Sequence, residues 1–255
     1  MFITSDYFSE RPSRIISLVP SITELLFFLS LDEQTIGVTK FCIHPQNWHQ
    51  IKTKVGGTKN LNINVIRGLG PDLILANKEE NTKEQIELLA NEFPVYLSDV
   101  YNFEDGLKMI SDISCLTHSE KKGNELIKTI REKKEKIISK PKIKVAYLIW
   151  KEPFLVAAGN TFINSMLNVA GLENVFSHLS RYPEVSEIDI NNSGAEIILL
   201  STEPYPFTQK HIEEFANLFP QKKLIIADGE MFSWYGNRML YALDYFEEFY
   251  EKLRQ

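Results

Sequence analysis

Apolar residues gather along this chain in short runs, "RIISLV", "TIGV", "DLILA" and "PVYLS" in the first half and "KVAYLIW", "FLVAA", "EIILLS" and "KLIIAD" in the second. Runs of this length bounded by turn residues read as strands. The stretches between them carry helical spacing, so each half alternates strands with helices and implies a parallel sheet covered by helices. Two first-half helices are expected to open with capping boxes, Ser21 with Glu24 and Thr82 with Gln85. Second-half helices are expected near Thr161, near Thr208 and after Gly236, the last with apolar spacing at Met239, Leu243, Phe246 and Tyr250.

One unit occurs twice. "INVIRGLGPDLILAN" (63–77) and "EIDINNSGAEIILLS" (187–201) align at an offset of 124, which places Gly70 on Gly194, Asp72 on Glu196 and "LILA" on "IILL". Between the halves, Thr117 with Glu120 reads as a further capping box, and helical pattern continues to Ser139 before Lys140-Pro141 interrupts it. Some 22 residues at about 1.5 Å each reach roughly 33 Å. Its apolar positions, Leu126, Ile127, Ile130, Ile137 and Ile138, form a narrow stripe, as in a strut between two lobes. The expected organisation is an α/β lobe over 1–116, a linking helix over 117–140 and a second α/β lobe over 141–255.

The bulk properties exclude more than they assign. A length of 255 residues, 44% hydrophobic and 24% charged, describes an ordinary globular chain. A net charge of −6 without a basic cluster argues against nucleic acid. No run approaches the roughly 18 apolar residues of a membrane span. The start, "MFITSDYFSERPSR", lacks a basic segment followed by an apolar one, so no secretory signal is read and a cytoplasmic location is expected from the sequence as written. Cys42 and Cys115 form neither a disulfide framework nor a CxxC pattern. Phosphate-loop, GxGxxG, GxSxG and HExxH motifs are absent, so no catalytic residue and no enzymatic role is read. No protein-only metal site is expected, since its nearest approach would unite Cys42 and His44 with His178 from the other half, short of a full local ligand set.

The stretch "MFSWYGNRM" (231–239) fits neither strand nor helix spacing and reads as a loop at the carboxyl end of "KLIIAD". Ligands of open α/β sheets bind at such ends. Phe232, Trp234 and Tyr235 either cap the core beneath the loop or offer flat faces to a flat or greasy ligand, in which case Arg238 could pair with a ligand carboxylate.

In order and spacing, residues 14–253 resemble the substrate-binding proteins of ABC importers of the helical-backbone class, the receptors for cobalamin, haem and iron-siderophores. "RIISLVPSITELLFFL" looks like the family's opening strand and helix, matching at Pro20, Ser21, Thr23 and Glu24. "LGPDLILAN", "NTKEQIELL" and "RYPEVSEIDI" are similar to later family elements. The resemblance implies two Rossmann-like lobes with parallel sheets, joined by one long α-helix, with the ligand cleft between the lobes. It implies a non-catalytic protein with no intrinsic cofactor, capturing a corrinoid, haem or ferric siderophore for uptake through an ABC permease, working as a monomer in the periplasm or cell envelope. Ligand contacts would come from Phe41, Cys42, His44, Trp48, Lys78 and Glu79 on one side, and from Trp150, Tyr182, Phe232, Trp234, Tyr235 and Arg238 on the other. The family docks to its transporter through one glutamate per lobe. Lys83 and Ile188 stand at those positions here, with Glu84 and Glu187 one residue away. The rival reading is a cytoplasmic chelatase-like or other tetrapyrrole-handling enzyme on the same plan, using Cys42 and His44.

Overall fold

A computed structural model describes residues 1–137 and 141–254, and the chain divides into two compact units. The first contains Met1–Val100, Glu104–Arg131 and Trp234–Leu240; the second contains Tyr101–Phe103, Glu132–Ser233 and Tyr241–Gln255. Seven residues from near the carboxyl terminus therefore belong to the first unit, where sequence order alone assigned them to the second half.

The elements of the first unit run β1 (Ile15–Ser17), α1 (Pro20–Phe28), β2 (Thr35–Val38), α2 (Gln46–Ile51), β3 (Thr53–Lys54), β4 (Gly56–Gly57), β5 (Asn60–Leu61), α3 (Ile63–Leu69), β6 (Leu73–Asn77), α4 (Lys83–Ala90) and β7 (Val95–Ser98). Its sheet is wholly parallel with order β3-β2-β1-β6-β7, and β4 and β5 form a small antiparallel hairpin beside it. The inner strands β1 and β6 are buried along their whole length, as in a parallel sheet covered by helices; Ile16, Ile74 and Ala76, with Val95 of the edge strand, pack against Ile66, Ile86 and Leu89 in one hydrophobic cluster.

Next come α5 (Phe103–Leu116) and α6 (Glu120–Lys136), then the elements of the second unit. These are β8 (Ile143–Trp150), β9 (Leu155–Val156), α7 (Phe162–Val169), β10 (Leu172–Asn174), α8 (Glu187–Asn192), β11 (Ile197–Ser201), α9 (Gln209–Phe215), β12 (Lys223–Ala227), α10 (Gly229–Ser233) and α11 (Arg238–Arg254). Strands β10-β8-β11-β12 are parallel, while β9 pairs antiparallel with β8. Phe176, Phe207, Phe215 and Phe219 fill one face of this sheet against Leu148 and Leu200. Every strand run expected from the hydrophobic pattern is present in the α/β architecture.

The repeat is real in three dimensions. Helix α3, Gly70 and β6 correspond to α8, Gly194 and β11, and both glycines adopt left-handed backbone at φ 55° and 76°. Asp72 accepts hydrogen bonds from the Ser13 and Arg14 backbone amides at 2.7 and 2.9 Å. Glu196 accepts from the Lys144 amide at 3.4 Å.

Helix starts depart from expectation. Val19, not Ser21, caps α1, and Pro20 occupies its first turn, where a missing N–H costs nothing. Thr82 caps α4 in position only: its hydroxyl donates to the Lys59 carbonyl, and Gln85 accepts from the Leu61 amide. Thr117 turns its hydroxyl back to the Ile113 carbonyl, so α6 starts at Glu120. Thr161 caps α7 as expected, and Thr208 forms a box with His211. A further box, Ser186 with Asp189, caps α8, which the sequence reading did not anticipate. Helix α6 spans 17 residues, about 25 Å. It buries the narrow stripe of Leu126 and Ile130 beside Gly123, and the boundary between the units falls within it, between Arg131 and Glu132. The helix stops at Lys136, short of the expected Ile137, which lies in a bend, and residues 138–140 of its expected length lie outside the described residues.

Candidate functional site

The segment read as one loop is two helix ends and a turn. Met231 and Phe232 lie in α10, Arg238 opens α11, and Trp234–Asn237 connect them. Phe232 is fully buried in the second unit, 4.7 Å from the Phe246 ring and 5.3 Å from Tyr147. It is a core residue and does not face a ligand.

Two residues later the chain enters the first unit. Gly236 reverses it with φ 89°, so close that a Cβ there would lie 3.5 Å from the Ser21 carbonyl and from Leu25. Arg238 then meets Glu24 in a two-pronged pair, Nε to Oε2 at 2.9 Å and Nη2 to Oε1 at 2.7 Å. Both side chains are largely buried, 10% and 13% exposed. Arg238 thus has an internal carboxylate partner, which corrects its reading as the receiver of a ligand carboxylate. Its guanidinium lies 5.0 Å from the Trp234 ring centre, and that ring meets the half-buried His44 edge-on at 5.5 Å. Trp234 and Tyr235 retain only 8% and 6% exposure, so their faces are taken up by packing. Glu24 is the participant that sequence reading missed, having been given a capping role.

The other first-unit candidates divide by exposure. Phe41 is half exposed, with Lys40 Nζ 5.1 Å from its ring centre. Cys42 is fully buried, its sulfur 3.0 Å from the Thr23 hydroxyl and 3.2 Å from that of Thr39, and burial pushes its thiol above the usual range. A neutral, enclosed thiol is a poor metal ligand. Trp48 is also fully buried, edge-on to Phe27. Lys78 is exposed and pairs with Asp99 at 2.5 Å. The loop bearing Lys78 and Glu79 is fixed from beneath. Asn77 Oδ1 accepts from the Glu79 and Glu80 amides, and Asn81 Nδ2 donates to the Leu18 and Thr58 carbonyls. Desolvation raises the Glu80 carboxyl above its ordinary range.

In the second unit, Trp150 ends β8 and is 39% exposed, edge-on to Tyr205 at 5.4 Å. Tyr205 Oη in turn lies 3.3 Å from His211 Nε2. Tyr182 is half buried beside Arg181, whose guanidinium lies 5.6 Å from its ring centre and 5.4 Å from that of Tyr101. Tyr101 and Arg181 were not singled out by sequence; the Arg181-Tyr182 dipeptide was the available signal. His178 is exposed, with Nδ1 3.1 Å from the Val175 carbonyl. Among the described residues no group of three or more His, Cys, Asp and Glu is placed to hold a metal. Glu84 and Glu187 are exposed in the first turns of α4 and α8. Among the described residues no helix is long and apolar enough to cross a membrane.

Comparison with known proteins places this geometry in context. The family described as periplasmic binding protein matches residues 15–221. The vitamin B12-binding protein of Vibrio parahaemolyticus is 26% identical over 208 residues, covering 79% of this chain and 75% of that one. An uncharacterised ABC transporter substrate-binding lipoprotein of Bacillus subtilis is 28% identical over 190 residues, 70% of this chain and 60% of that protein. The crystal structure of the periplasmic vitamin B12-binding protein of Vibrio cholerae superposes with a TM-score of 0.80 at 19% identity, over 96% of this chain and 98% of that one.

Proposed function

The chain belongs to the periplasmic binding protein family, and on that premise we propose that it captures a metal-bearing small molecule, a corrinoid, haem or iron-siderophore, and delivers it to an ABC permease in the cell envelope. The observation that carries this reading is the relationship to vitamin B12-binding proteins over most of the chain. The half-exposed Phe41 and His44 after β2 in the first unit, and separately Trp150 at the end of β8 in the second, each offer a ring beside a strand end where a flat cargo could pack. The role is binding without turnover. Titration of the purified protein with cyanocobalamin, haemin and a ferric hydroxamate siderophore, read by absorbance and native mass spectrometry, is expected to give a one-to-one complex with at least one of them. Failure to bind any of the three, or metal-dependent conversion of a free porphyrin, overturns the proposal.

Delivery would use the exposed carboxylates Glu84 and Glu187, since rim charges steer association. Glu84→Lys combined with Glu187→Lys should reduce capture of the permease in a pull-down while cargo binding persists; unchanged capture removes these residues from docking.

A further inference from the structure

We infer that Glu24 is a positioning residue for the cargo-binding surface, acting through Arg238 and Trp234 on His44; this rests on the binding reading above. The separation in sequence is large, 214 residues, yet the contacts form one continuous series. A buried carboxylate grips a buried guanidinium by two parallel hydrogen bonds, a geometry that fixes the plane of the arginine as well as its place. The guanidinium lies over the Trp234 indole, and the indole supports the edge of the His44 ring. Of these four side chains, Glu24, Arg238 and Trp234 are nearly or wholly withdrawn from solvent, and His44 is the one that emerges partway. The sequence on either side of Arg238 cannot supply this order. Trp234–Leu240 belongs to the first unit while the residues before and after it belong to the second, so the turn depends on its own anchors. These include Gly236 against Ser21 and Leu25, Arg238 against Glu24, and the buried Asn237 and Met239.

The anchor also has a chemical consequence. With Glu24 present, the positive charge of Arg238 is answered inside the protein, and a cargo need bring no carboxylate to this place. With Glu24 removed, the guanidinium is left buried without this partner, a state far less favourable than the intact pair. A small carboxylate from solution could then fill the gap.

The test compares wild type with Glu24→Ala, Glu24→Gln and Trp234→Phe. Subtracting the Trp234→Phe spectrum isolates the Trp234 contribution to fluorescence and near-ultraviolet circular dichroism. Glu24→Ala is expected to shift or flatten that contribution and to weaken cyanocobalamin or haemin binding by about tenfold or more. Added formate or acetate should restore both, and Glu24→Gln, which keeps one acceptor oxygen, should fall between. A merely structural role would lower the melting temperature without moving the Trp234 spectrum, affinity or formate response, and that result overturns the inference. So does a Trp234 signal that Glu24→Ala leaves unchanged. If wild type binds neither probe, the Trp234 spectrum with its formate rescue decides by itself whether Glu24 positions the loop. Should Glu24→Ala not fold, Glu24→Gln carries the same spectral comparison, and an unaltered Trp234 signal there counts against the inference.

Discussion

Trp234 in the first unit and Trp150 in the second are the same side chain in opposite circumstances. Trp150 ends a strand and keeps 39% of its surface exposed, touching Tyr205 at one edge. Trp234 keeps 8%, held under Arg238 and against His44. An aromatic residue beside a strand end is therefore not by itself a ligand contact. What decides is whether the ring's faces are already occupied by the protein, and only the tertiary contacts reveal that.

The comparison is broken most directly by removing Trp234. Replacing a buried aromatic by alanine typically costs about 3–5 kcal/mol through lost burial and the cavity left behind. Trp234→Ala should show a loss of that order in chemical denaturation, together with weaker cargo binding through the displaced His44. A melting temperature equal to wild type would return Trp234 to the exposed class with Trp150.

A second effect separates the aromatic core of the second unit from its exposed Trp150. Tyr245 sits beside Phe249 and Phe232, and burial raises its phenol to about 12 despite the hydrogen bond it accepts from the Asp228 amide. Full burial likewise raises Tyr147, which donates to Ser201 at 3.1 Å. A phenol whose folded value lies above its unfolded value near 10 is held neutral by folding. Its stabilising contribution is complete below pH 10 and is lost as pH rises toward 12. The expected loss from Tyr245 is about 2 kcal/mol or less, since a pKa unit corresponds to roughly 1.4 kcal/mol and the group is partly solvated. Tyr245→Phe should flatten the fall in stability across that window, measured by denaturant melts with tyrosinate absorbance followed in parallel. A wild-type curve that stays level from pH 10 to 12 would contradict the burial argument.

Periodicity made the fold legible because strand runs, glycine turns and the repeat are local in sequence. Thr35–Val38 and Ile197–Ser201 coincide with short apolar runs in the sequence, and the matched glycines share left-handed backbone. Local chemistry was read less well where a side chain had two possible partners. Thr82 and Gln85 satisfy Lys59 and Leu61 in place of each other. The site was least legible. Nothing near Arg238 announces Glu24, and nothing in "FSWYGNR" says that Phe232 enters one unit's core while Trp234 joins the other unit. Burial, which decides whether Cys42 or Trp48 could touch a cargo, is a property of the assembled chain.

Removing the exposed indole sharpens the same comparison from the other side. Trp150→Ala vacates little packed volume, so its stability loss should stay below about 1 kcal/mol. If Trp150 lies against the cargo, affinity for cyanocobalamin or haemin should fall about tenfold, equivalent to roughly 1.4 kcal/mol. Loss of stability without loss of affinity would make Trp150 a packing residue after all.

The smallest expected effect asks whether the two units differ only in what decorates them. Gly70 and Gly194 occupy equivalent turns with φ 55° and 76°, and a Cβ at either position would meet nothing within 4 Å. Alanine at each is therefore opposed by backbone conformation alone, at about 1 kcal/mol once the stiffer unfolded chain is counted. Asparagine, which tolerates left-handed backbone, should cost less at both. Because the neighbouring space is open in both turns, Gly70→Ala and Gly194→Ala should destabilise the protein by equal amounts within about 0.5 kcal/mol, and their double variant should show additive losses. The Asp72 and Glu196 contacts that follow these glycines differ in length and number. If those contacts rather than the backbone set the cost, Gly70→Ala will be the more damaging and the asparagine variants will not recover the loss. Equal costs with asparagine rescue would show that the repeated turn is the same physical object twice, and that the contrast between Trp234 and Trp150 arises above it, in side chains the repeat does not specify.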